Sequence, residues 1–257
     1  MFKLRRINNL KQQQSMITLN KFFVFILLSI SLVSCQDMMV VQVEGEGPVV
    51  MNEFEIDNFN QLSLHSGWKV LLIPSDENKI VLEANENLVE LLEIEQKGNR
   101  LKIDSEKLIK KADSKLIQLY YNQELTEIKT SSGVYLIAED IKHSGNLNLV
   151  STSGSKLELS FEGEKLAAET TSGASIHLTG SAAYLVVKST SGSGFEAETF
   201  LAKKAKAKAN SGANINLNVE EGLEAKATSG AIIKHNSGIK NRVKDTNSGG
   251  TIKAYSN

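Results

Sequence analysis

The chain has 257 residues, enough for one large domain or two small ones. Its 29 basic and 30 acidic residues nearly cancel, which implies neither nucleic acid nor an acidic polymer as a partner. A single cysteine excludes an internal disulfide framework and any multi-cysteine metal site.

The N-terminus reads as an address. Lys21 precedes an apolar run from Phe22 to Leu28 that continues through Ser29 to Val33. That length suits a signal-peptide core and is short for a bilayer span. It ends in Leu32-Val33-Ser34-Cys35, which resembles a bacterial lipobox, with Cys35 as the lipidation site and residues 1–34 as the cleaved signal peptide. Met16 is an alternative start, with Lys21 as the charged region. An incidental cysteine after an ordinary signal peptide is the competing reading, but the chain's only Cys falls at this site. Residues 1–34 hold five basic groups and no acid, so the mature chain carries 24 basic against 30 acidic residues, a net of −6. Residues 35–45 then form a lipidated tether, and the lipid anchor makes the membrane a partner.

In residues 46–125, Leu62, Leu64, Ser66-Gly67, Val70 and Leu72 make a strand, a corner and a second strand. Strands are predicted at Lys79–Ala84, Arg100–Asp104 and Leu116–Tyr121. Asn87–Glu95 is ambiguous between helix and strand, and Glu106–Ser114 reads as an exposed charged loop. This region is either a solenoid with longer coils or a separate domain packed on residues 126–257.

Residues 126–257 repeat. A Thr/Ser/Asn-Ser-Gly tripeptide recurs with its serine at Ser132, Ser153, Ser172, Ser191, Ser211, Ser229 and Ser248, spaced by 18 to 21 residues. Four residues after the serine every copy is apolar: Leu136, Leu157, Ile176, Phe195, Ile215, Ile233 and Ile252. Apolar positions alternate with polar ones on both sides of the corner, and period two means strands. One 19-residue unit cannot bury its apolar face alone, so copies must stack. The fold class is therefore all-β, a parallel β-helix of about 19-residue coils in one or two segments. An antiparallel sandwich is the alternative, but hairpins favour Asn-Gly or Asp-Gly and have no reason to hold one period. Glycine is assigned to the corner for positive φ, and the Thr or Asn before it is expected to bond the turn backbone and stack between coils. Arg242 and Lys244 at inward positions of the last copy read as a terminal cap.

Over about residues 45–257 the chain resembles a family of Bacteroidetes lipoproteins described as "putative auto-transporter adhesin, head GIN domain", of unknown function. The resemblance rests on Gly45-Glu46-Gly47-Pro48-Val49-Val50, Phe59-Asn60-Gln61-Leu62-Ser63-Leu64, Val81 to Leu88, Leu101-Lys102-Ile103 and the Ser-Gly repeats. The Gly-Ile-Asn that names the family stands here as Gly67-Trp68-Lys69. The resemblance implies right-handed β-helix segments, an envelope location and no established catalytic residues.

No catalytic set, metal site or cofactor motif is found. His65, His143, His177 and His235 lack metal-ligand spacing, with His65 and His177 outward and His235 a polar cap. A polysaccharide-cleaving β-helix enzyme would need clustered carboxylates, and the glutamates do not align in successive coils. Lys204, Lys206 and Lys208 share the outward face of one strand. They are either a patch for anionic glycans, phospholipid heads or lipopolysaccharide, or a solvated face matched by Glu196, Glu198 or Glu224 of adjacent coils. Trp68 is a candidate sugar-stacking platform or a packing residue. The sequence thus predicts an outer-membrane lipoprotein, non-catalytic, binding glycans or envelope proteins. An envelope scaffold is second and a glycan-degrading enzyme third.

Overall fold

The computed structural model describes residues 42–255, so the expected signal peptide, Cys35 and all but the last residues of the expected tether lie outside the described residues. The chain runs β1 (Gln42–Glu44), β2 (Val49–Glu55), β3 (Gln61–Leu64), β4 (Lys69–Pro74), β5 (Lys79–Asn85), α1 (Glu86–Val89), β6 (Leu92–Lys97), β7 (Arg100–Ser105), β8 (Leu108–Lys111) and β9 (Lys115–Tyr121). It continues through β10 (Glu127–Thr130), β11 (Tyr135–Ser151), β12 (Lys156–Thr170), β13 (Ser175–Ser189), β14 (Gly194–Ala209), β15 (Asn214–Thr228), β16 (Ile232–His235), β17 (Asn241–Asn247) and β18 (Thr251–Ala254). From β10 onward each strand pairs in parallel with its counterpart one coil away, which makes a β-solenoid of about seven coils.

The corner explains the regularity. Ser-Gly lies in the left-handed region at every copy, and the serine itself has φ of 50° to 66°, as at Ser248 and Ser66. Sequence reasoning assigns positive φ to glycine alone; here the non-glycine partner takes it too, at roughly 1–2 kcal/mol per residue. The hydrogen bonds offset that cost. Each corner glycine donates its N–H to the serine carbonyl of the next coil, from Gly133 to Ser153 at 3.1 Å through Gly230 to Ser248 at 3.2 Å. The backbone ladder therefore continues around the bend instead of breaking there. The first residue of the tripeptide acts as expected: Asn210 and Asn247 accept from the following serine N–H, and Thr171 meets Thr190 at 3.0 Å between coils.

Inside, the alternating positions close the core. Leu136, Leu157, Ile176, Ile215 and Ile233 are buried, with Phe195 and Phe200 beside them. Small residues sit next to the corners because space vanishes there: a Cβ on Gly250 would lie 2.1 Å from the Ala227 carbonyl oxygen. Inward hydroxyls of the repeating coils bond one another, as Thr170 does with Ser189 at 2.7 Å and Ser193 at 3.0 Å, whereas the buried Ser105 hydroxyl of β7 finds no partner among the described residues. The return between coils is not a separate loop. β12 carries the second limb of one coil, the bend and the first limb of the next in a single 15-residue strand, because Ser160 to Gly163 stay paired with Thr179 to Ala182.

The front half inserts a detour. β3 pairs with both β7 and β10, and β4 pairs with both β9 and β11. The coil at 61–74 thus lies between the 100–121 strands and the coil at 127–138, against the order of the sequence. Antiparallel β2–β5–β9 and β6–β7 pairings complete this end. The ambiguous stretch divides into α1, where Leu88 is buried, and β6. Glu106–Ser114 corrects an expectation: it contains β8, which pairs with β1 and buries Ile109 at 3% exposure.

Two substitutions test this register. Ile215→Asp places an unpaired charge at a fully buried position and is expected to cost several kcal/mol, seen as a large drop in melting temperature by circular dichroism. Gly180→Ala should destabilise more than Gly192→Ala in urea unfolding, because a Cβ at Gly180 would lie 2.2 Å from the Phe161 carbonyl oxygen while one at Gly192 meets nothing within 4 Å.

Candidate functional site

In-register stacking brings side chains some 19 residues apart into one column, on successive rungs. Outside the limb that precedes the corner, β12 to β15 with β17 present three columns. The first runs Lys165, Tyr184, Lys204; the second Ala167, Val186, Lys206, Glu224; the third Glu169, Lys188, Lys208, Lys226, Asp245. Neighbouring members of a column are about 4.8 Å apart. Lys204, Lys206 and Lys208 are exposed, as sequence reasoning expects, and they join Lys165, Lys188 and Lys226 on the same face. Six lysines therefore stand against the three carboxylates of Glu169, Glu224 and Asp245.

The compensation is uneven. Lys206 pairs with Glu224 at 2.7 Å, Lys188 with Glu169 at 2.6 Å and Lys226 with Asp245 at 2.5 Å. Of the expected partners, Glu224 is the one used, while Glu196 faces His177 at 3.6 Å. Among the described residues Lys165 and Lys208 form no ion pair. Lys208 stands between two lysines whose own partners lie on their far sides. Lys204 sits 5.9 Å from the centroid of the Tyr184 ring, which is 48% exposed, a large value for an aromatic. Ala167 and Val186, half-buried and short, leave a shallow dip two rungs long between the taller side chains of the first and third columns, ended by Lys206.

Trp68 is a correction to its candidacy as a sugar-stacking platform. It is 1% exposed, with its indole N–H directed at the Asp104 carbonyl at 3.4 Å, so it packs the first coil and offers no surface. His177 is exposed and His65 half-buried, and the side chain of His143 lies outside the described residues. His235 is fully buried at an inward position, donating Nδ1–H to the Asn236 carbonyl at 2.6 Å. No partner reaches its Nε2 among the described residues.

Elsewhere, β4 and β11 part company after the Leu72–Ala138 rung, because β11 bulges at Glu139 and Asp140. The gap is a cleft of about 550 Å³ lined by Leu71, Ile73, Pro74, Ile137, Glu139 and Asp140. Asp140 has φ of 54°, the sole non-glycine positive φ outside the Ser-Gly corners among the described residues. No group of three or more His, Cys, Asp or Glu side chains among the described residues is placed to hold a metal.

The residues missed in the sequence, Tyr184, Lys165, Lys188 and Lys226, emerge on aligning the outward positions of the repeat as closely as the inward ones.

The family model described as "Putative auto-transporter adhesin, head GIN domain" matches residues 58–238. Among solved structures, the chain is similar to a "putative adhesin" from Bacteroides fragilis NCTC 9343, with a TM-score of 0.77 at 17% identity over 83% of this chain and 100% of that one. A "putative adhesin" from Parabacteroides merdae ATCC 43184 gives 0.63 at 14% identity over 84% and 100%. A "putative lipid binding protein" from Parabacteroides distasonis ATCC 8503 gives 0.64 at 17% identity over 84% and 100%. At these identities the likeness is one of fold. No curated protein matches.

Burial holds the His235 imidazole below the ordinary histidine range, aided by Lys244 and Arg242 and opposed by the bond to Asn236. The unfolded chain takes up its proton near pH 6.5, whereas the folded ring stays neutral to lower pH. Stability is thus full above about pH 6.5 and declines as pH falls toward the folded value. His235→Leu, the residue type at the equivalent Leu217, should lose less melting temperature than the wild type between pH 7 and pH 5.

Proposed function

Since the chain belongs to the head GIN domain family of adhesin-like proteins, we propose that it is a lipid-anchored, non-catalytic binding module of the outer membrane that attaches the cell to glycan or protein surfaces. The observation that carries this reading is the ordered lysine–tyrosine face, which is laid out by backbone register on rigid strands. Rigid placement favours binding, because few groups must be ordered on contact. The same face lacks the opposed carboxylate pair that glycoside cleavage uses, since Glu169 and Glu224 are each engaged by a lysine. The lipobox ending at Cys35, a short way ahead of β1 in the sequence, supports the anchor.

The fold shared with the "putative lipid binding protein" raises a second contact, with the membrane itself. The cleft between β4 and β11 does not favour that reading, because Glu139 and Asp140 put two carboxylates in its lining.

Cys35→Ala should move the protein from the membrane to the soluble fraction and abolish incorporation of labelled palmitate. Protease treatment of intact cells should digest the wild-type protein, and its deletion should lower adhesion to glycan-coated surfaces. A protein untouched by protease, with adhesion unchanged on deletion, would instead mark an internal envelope scaffold.

A further inference from the structure

We propose that the three-column face is a site for a linear carboxylated polysaccharide lying along the solenoid axis, with Tyr184 as its stacking platform; this rests on the binding-module reading above. Three independent features converge there. The first is an electrostatic conflict. Lys188, Lys208 and Lys226 occupy successive rungs, and like charges directly opposite one another destabilise a sheet. Glu169 and Asp245 relieve the outer two, and the central Lys208 has no carboxylate among the described residues. Across the dip, Lys165 is likewise without an ion pair there. Folding alone gains nothing from this arrangement, whereas a bound chain of anions would relieve it.

The second feature is shape. Ala167 and Val186 floor a shallow dip two rungs long, walled by Lys165 and Tyr184 on one side and by Glu169 and Lys188 on the other, and Lys204, Lys206 and Lys208 line up across the next rung. A short apolar floor beside a tyrosine ring, followed by a rung of three lysines, fits one ring of a ribbon that has an apolar face and charged edges. A glycan bearing carboxylates has that form: its ring C–H faces are apolar, and its acid groups recur singly along its length. The third feature is Tyr184, whose exposed ring at the wall of the dip offers a flat surface to a sugar ring. A clustered phosphate headgroup would satisfy the lysines but would leave the floor and the ring unused. The net negative charge of the mature chain does not oppose this, because screening confines each field to about 8 Å at physiological salt.

The test uses residues 36–257, which contain the whole compact unit that begins at Gln42. Polygalacturonate should be retained in affinity electrophoresis and neutral dextran should not, and added salt should weaken the retention. The Lys204→Glu/Lys208→Glu double variant should weaken binding at least tenfold, and Tyr184→Ala at least threefold, with unchanged circular dichroism. Failure to bind polygalacturonate, equal binding of dextran, or equal binding by all variants would overturn the proposal. Binding to phosphatidylglycerol vesicles without binding to polygalacturonate would also overturn it, by assigning the lysines to a membrane surface. Adhesion that persists in cells carrying the double variant would remove this ligand and leave the binding-module reading intact, whereas a protease-inaccessible protein would remove that reading itself.

Discussion

One constraint governs this molecule: the parallel backbone ladder must turn a corner without losing its hydrogen bonds. Two consecutive left-handed residues achieve it, and the glycine N–H then reaches the serine carbonyl of the next coil at 3.0 to 3.2 Å along the stack. Once the corner is in register, every inward side chain is fixed, since a slip of one residue would turn the whole apolar set outward. The small residues beside the corner, the paired hydroxyls and the spacing of the repeat are consequences of that one requirement.

The same register orders the exterior. Ion pairs such as Lys188–Glu169 and Lys226–Asp245 join residues 19 apart in sequence, and each is an exposed pair worth little by itself. Their value is positional. They hold the lysine side chains along the column and leave the charge surplus at its centre, on Lys208. A flexible loop with the same composition would spread that charge; the stacked strands concentrate it.

The repeating half was legible because its physics is local in pattern. Period-two alternation around Ser-Gly marks the inward set, and Leu62, Leu64, Val70 and Leu72 are buried just as the template around Ser66 requires. The detour was not legible, since β2–β5–β9 and β6–β7 are antiparallel pairings between segments that share no repeat. β8 hid inside a charged run because only Ile109 turns inward there. Trp68 could be placed only after Asp104 and the coil it caps were known to lie against it. On the face, three lysines of one strand were visible. Their neighbours were not, because burial patterns draw the eye to the core and columns of outward residues carry no hydrophobic signal.

The detour also sets an order in time. The coils from Ser132 onward find partners one coil away, so they can zip with short loop closures. Gln61–Leu64 must instead wait for Glu127–Thr130, 66 residues downstream, as well as for β7. The loop entropy of that closure grows only slowly with length, yet it cannot be recovered until both neighbours exist. A chain synthesised from its N-terminus therefore makes its first coil early and completes it late. Through that interval Gln61–Leu64 is an unpaired strand edge, the part of the nascent protein most open to pairing with a wrong partner.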